Sequence, residues 1–84
     1  MPAGWPAWWE WTLELSGHVQ ARMEERGFNE LDLRSMLEHA QLLIPDRVAG
    51  RWAVSSRHSG KRWLVIVEPD EARRRLIVIT AFRR

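Results

Sequence analysis

The sequence predicts an α+β fold: an N-terminal strand, two helices, then a three-stranded antiparallel meander, with the helices packed on one face of the sheet. Three observations lead there. The apolar period changes from two to about 3.6 and back to two along the chain. Two helix-length stretches carry their own start and stop residues, Ser16 with Gly27 and Asn29 with Pro45. Turn residues at 58–61 and 69–72 cut the C-terminal apolar runs into strands. No repeat or low-complexity stretch divides the chain, so residues 1–84 read as one domain with one modest core.

Residues 1–8 contain Pro2, Gly4 and Pro6 and are expected to form an irregular arm rich in Trp and Pro. From Trp9 the chain alternates. Trp9, Trp11, Leu13 and Leu15 oppose Glu10, Thr12 and Glu14, which predicts a strand over 9–15. Four tryptophans fall at positions 5, 8, 9 and 11. Tryptophan can stack on bases, but beside a strand such a cluster is expected to be packing material that covers an open apolar surface.

The first helix is expected over 16–27. The Ser16 hydroxyl can accept from a free N–H of the first turn, and Gly27 can close the other end in a left-handed conformation. Val19 and Met23 form the apolar stripe. His18, Arg22 and Arg26, at i, i+4 and i+8, stack in a row that borders it, while Gln20 and Glu24 take the wet side. A His/Arg row in that place can face a cleft beside the core. It can equally lay its stems on the core and keep its charges in water, with Glu25 placed to pair with Arg22.

Asn29 starts the second helix, expected over 29–44, with Asp32 in a capping-box position and Glu30 favoured by the helix dipole. Leu33, Met36, Leu37, Ala40 and Ile44 make its core stripe, and His39 falls off the stripe toward solvent. The short 27–29 link makes the helix pair a compact corner. Strands follow over 47–57, 62–68 and 74–82, the first interrupted by Gly50 as a bulge or a second short turn. The last two are apolar on both faces and should lie inside the sheet. One face packs on the helices. The other needs a cover, because large bare apolar patches are rare on monomers; the Trp-rich arm or a homodimer would supply it.

Composition narrows the chemistry. There is no cysteine, hence no disulfide framework and no Cys zinc site. His18, His39 and His58 lack ligand-like spacing with paired acids, so neither a metal nor a cofactor is expected. No Gly-rich phosphate loop and no Ser/His/Asp pattern stands out. No apolar run approaches the roughly 20 residues that span a bilayer, and the N-terminus has no basic n-region of a signal peptide. A cytoplasmic chain without a membrane partner is the expectation. Twelve arginines against one lysine, and only three amides (Gln20, Asn29, Gln41), would suit a thermophile, although GC-rich coding has the same effect. Net charge is +2, unevenly spread: residues 1–45 hold three Arg against seven acids, and residues 46–84 hold nine Arg and one Lys against four. The second half is therefore a candidate anion-facing surface, or simply a solvated basic sheet.

The helix signature L-S-x-H-x3-R-x2-E-R-G (Leu15, Ser16, His18, Arg22, Glu25, Arg26, Gly27), the acidic opening at Asn29–Glu30–Leu31–Asp32, and the strand pair RWLVIVEPDEARRRLIVITAF resemble a family of small bacterial proteins known as a domain of unknown function. The resemblance covers about residues 13–82. Such proteins look like relatives of the RelE, barnase and colicin ribonuclease toxins, with two helices on an antiparallel sheet. This resemblance implies metal-free RNA cleavage, in which a ribose 2′-hydroxyl attacks the neighbouring phosphate with general acid/base and cationic assistance. It gives a catalytic set of His18, Arg22, Arg57 and Thr80, with Arg26, Lys61 and Arg62 binding RNA. It also implies an antitoxin protein as partner. The chain departs from several of these nucleases in having no tyrosine. A nucleic-acid-binding module without catalysis, and a dimeric interaction protein, are the competing readings.

Overall fold

The computed structural model describes residues 4–84; the first three residues of the expected arm lie outside the described residues. A 3-10 turn at Ala7–Glu10 precedes β1 (Thr12–Leu15), α1 (Gly17–Arg26), α2 (Glu30–Glu38), β2 (Leu42–Pro45), β3 (Trp52–His58), β4 (Lys61–Asp70) and β5 (Arg75–Arg83). The strands form one sheet in the order β1-β5-β4-β3-β2. β1 pairs with β5 in parallel, and the other neighbours are antiparallel. The fold is α+β with two helices, as expected, but the sheet has five strands.

Both helix starts follow from local chemistry. Ser16 Oγ accepts from Val19 N–H at 3.0 Å, and Gly27 closes α1 at φ +68. Asn29 and Asp32 form a reciprocal capping box, each side chain accepting from the other's N–H at 2.9 Å. The expected helix to Ile44 is corrected: α2 stops at Glu38, and Gln41 N–H already donates to Ser55 O at 2.8 Å. Residues 42–45 then pair with β3, placing Leu43 opposite Val54 and Ile44 opposite Ala53. The run Leu42–Leu43–Ile44 is apolar at every position, so it satisfies either period. The unpaired outer edge of β3 decides for a strand.

The expected strand over 9–15 is also shorter. Pro6 starts a 3-10 turn, with Trp9 N–H donating to Pro6 O at 3.0 Å and Trp11 N–H to Trp8 O at 3.1 Å. Gly50 is not a bulge inside a strand. It stands at φ +85 in the link between β2 and β3, which is closed by Asp46 N–H to Arg51 O at 3.0 Å. The β3–β4 link is a two-residue turn with positive φ at Ser59 (51) and Gly60 (74), the type I′ geometry that matches sheet twist. β4 runs through Pro69 to Asp70, so the next turn falls at 71–74 instead of 69–72. A bulge places Ile79 and Thr80 opposite Ile66.

One core fills the space between helices and sheet. Val19, Leu33, Met36 and Leu37 meet Val54, Trp63, Val65, Val67, Leu76, Val78 and Ala81. Phe28, in the helix corner, meets Trp63 edge-on with centroids 5.2 Å apart. The buried Ser56 hydroxyl donates to Met36 O and so ties α2 to β3. The tryptophan segment packs on this same core: Trp8 lies 5.7 Å from Trp52, and Trp5 meets Trp9 at 4.6 Å. It therefore packs on the helix side of the sheet and not on the other face, where the sequence leads one to expect it. Because β1 runs beside β5, the chain enters at the Trp52–Leu76 end, and residues 5–11 wrap onto the helix side. The far face carries Leu42, Ile44, Ala53, Leu64, Ile66, Ile77, Thr80 and Phe82; Ile66 is buried there, while Leu42 and Ile44 on the outermost strand are exposed.

Candidate functional site

β1 ends at Leu15, opposite Val78, so beyond that point β5 has no strand on its outer side. α1 takes the place. Ser16 Oγ donates to Ile79 O at 2.8 Å, and an Arg26 guanidinium N–H donates to Ala81 O at 2.7 Å. Since His18, Arg22 and Arg26 share one stripe of α1, the contact of Arg26 places that row along the free edge of β5. His18 is exposed. Neither of the other histidines is free: His39 Nδ1 lies 2.8 Å from Ser35 O, and His58 Nε2 lies 3.0 Å from Asp32 Oδ1. His18 alone has no hydrogen-bond partner among the described residues. Arg22 pairs with Glu25 at 2.5 Å across an exposed helix surface.

The sheet cations lie at the end of the β3–β4 hairpin. Arg57 stands opposite Arg62, and His58 opposite Lys61. Alternation puts Arg57 and Arg62 on the far face with Leu64, Phe82 and Thr80, and turns Lys61 toward the helix side with Trp63. Thr80 is half-buried on that far face, on the stretch of β5 that lies beyond the end of β1. The structure thus brings Arg57, Arg62 and Thr80 onto one surface and the α1 row onto its border. It does not gather all of them in one hollow. The hollow beside Arg26 is lined by Trp63, Phe82 and Arg83, and the one beside Arg57 by His39, His58 and Gly60.

Two cations that the sequence reading did not single out belong to the same end. Arg83 stands opposite Trp63, and Arg84 N–H donates to Arg62 O at 3.0 Å. The doubled arginine directly after Phe82 was the available sign. Arg57, Lys61, Arg62, Arg83 and Arg84 are all exposed, and none has a carboxylate partner among the described residues. At the opposite end the charges are mixed. Arg51 pairs with Glu68 at 3.1 Å, and Arg73 pairs with Glu14 and Asp70, although Arg74 and Arg75 have no ion-pair partner among the described residues. Among the described residues no group of three or more His, Asp or Glu side chains is placed to hold a metal ion. Among the described residues no helix is long and apolar enough to cross a membrane.

An array of unpaired guanidinium groups on a sheet end attracts phosphates and leaves them reachable by solvent. Comparison with known proteins adds the lineage. No curated protein and no solved structure matches the chain. The family described as Domain of unknown function (DUF4258) matches residues 15–83, which include the whole helix signature and the strand pair, and the chain belongs to that family.

Proposed function

We propose that the chain is a small metal-free ribonuclease of the toxin type, with an antitoxin protein as its natural counterpart. The observation that carries this reading is the group of five exposed cations at the hairpin end that have no carboxylate partner among the described residues, with the α1 row, whose His18 has no hydrogen-bond partner among them, on the sheet border. A single RNA strand would run along the border between α1 and the end of β5. Arg57, Lys61, Arg62, Arg83 and Arg84 would hold its phosphates; as the 2′-oxygen bonds to phosphorus and the P–O5′ bond breaks, His18 would take the 2′-hydroxyl proton or give one to the leaving 5′-oxygen, with water making the other transfer. Arg22 would exchange its surface pair with Glu25, a contact that contributes little, for the phosphate under attack. Arg26 spends one donor on Ala81 O and keeps others for RNA. Thr80 would bond a phosphate oxygen from the far face.

The test is cleavage of a labelled single-stranded RNA in EDTA by wild type and His18→Ala. Cleavage that His18→Ala loses supports the reading. Equal cleavage by both proteins removes His18 from the mechanism, and intact RNA with no salt-dependent binding removes RNA as substrate. A second reading is favoured by one observation. Leu42 and Ile44 are 53% and 41% exposed on the outermost strand of the sheet. That surface suits a homodimer or a protein partner without catalysis, and a concentration-dependent oligomer indifferent to RNA would support it.

A further inference from the structure

The tryptophan segment is the most unusual feature of the sequence, and the RNA reading leaves it unused. Trp5 and Trp8 are engaged in ring packing with Trp9 and Trp52. Trp9, itself packed against Trp5 and Trp8, lines with Trp11 a hollow of about 370 Å³ together with Glu10, Leu13, Arg34, Leu37, Glu38 and Leu76. That is near the lower end of the roughly 300–1,000 Å³ typical of small-ligand sites.

The polar groups of the hollow define what fits it. Arg34 pairs with Glu30 at 3.1 Å on the exposed surface of α2. Glu10 and Glu38 are exposed and have no ion-pair or hydrogen-bond partner among the described residues. Trp11 takes part in no ring pair among them. Two free carboxylates beside two indoles repel anions and attract cations, since the face of an indole is electron-rich. A metal ion is a poor match, because no third acid or histidine joins the two carboxylates. A planar guanidinium can stack on an indole while its fork bonds a carboxylate. From this we infer that the hollow between the tryptophan segment and α2 binds an arginine side chain of a partner peptide. The site lies in the acidic half of the chain, away from the cationic hairpin end, and does not depend on the RNA reading.

The experiment titrates the full chain with acetyl-Gly-Arg-Gly-amide, and with the same peptide carrying citrulline, and follows tryptophan fluorescence and heat. Citrulline keeps the shape of arginine and removes its charge. The expected result is saturable binding of the arginine peptide, about tenfold weaker for citrulline and about tenfold weaker again in Glu10→Gln/Glu38→Gln. Both positions are exposed, so circular dichroism should show an unchanged fold, and Glu71→Gln in the β4–β5 turn serves as the neutral control. Equal affinity for the two peptides, no effect of the double substitution, or no binding overturns the proposal. Self-association of the protein alone that the double substitution abolishes also overturns it, since the occupant is then a second copy. RNA cleavage is measured in parallel and should be untouched by Glu10→Gln/Glu38→Gln.

Discussion

Ser16 holds two structures at once, and separating its two roles tests how α1 is seated. Its oxygen accepts from Val19 N–H at 3.0 Å, which caps the helix, and its hydrogen goes to Ile79 O at 2.8 Å, which ties the helix start to β5. Loss of a cap costs about 1 kcal/mol. Loss of the second bond, with a part-buried carbonyl left unpaired, costs about 1 kcal/mol more. Ser16→Ala should therefore destabilise by about 2 kcal/mol, which in a domain of this size lowers Tm by about 8–16 °C. Ser16→Asp keeps a good cap but has no hydrogen to donate, and its carboxylate faces the Ile79 carbonyl. It should lose the second part only, about 1 kcal/mol or slightly more. Asn29→Ala at the start of α2, where the capping contacts are local, gives the cost of a cap alone. Urea denaturation of the four proteins measures all of this. If Ser16→Ala costs no more than Asn29→Ala, or Ser16→Asp is as stable as wild type, the tie to β5 contributes nothing and the α1 row is not anchored as described.

Three further outcomes are expected. Arg57→Ala/Arg62→Ala should lessen the slope of log affinity against log salt for single-stranded RNA by about 1.4, two counterions' worth, with Tm little changed, as salt-series binding would reveal. Phe28→Ala removes a buried ring that meets Trp63 edge-on, and calorimetry should show a loss of about 3–5 kcal/mol, enough to unfold a marginal domain. Leu42→Lys/Ile44→Lys should abolish any concentration-dependent dimer in sedimentation while the monomer stays folded, because both side chains already face water; a dimer that persists would place the contact elsewhere.

The candidate site divides along a similar line between what the residues reveal and what they conceal. The helix row His18–Arg22–Arg26 was legible because helical spacing is local and both caps mark the frame. That Arg26 would spend a donor on Ala81 O was not, since this follows from β1 ending at Leu15 and leaving the edge of β5 bare. The cations at 57, 61 and 62 were visible as residues flanking a turn. Their company with Arg83 and Arg84 depends on the antiparallel register of β4 and β5, which brings together positions about twenty residues apart.

Local chemistry alone determined the α+β class, both helix starts, the left-handed close at Gly27, the turn between β3 and β4, and the inner position of the last two strands. Those features depend on contacts within a few residues, or on which residues are apolar on both faces. Only the tertiary structure decided that residues 42–45 form a strand, that β1 lies parallel to β5, and that the tryptophans cover the helix side. Each of these turns on a partner far along the chain: the free edge of β3 claims the Leu42–Ile44 run, and the position of β1 carries the tryptophan segment to the Trp52 end. A run that satisfies two periods takes its conformation from whichever neighbour has unpaired backbone to offer.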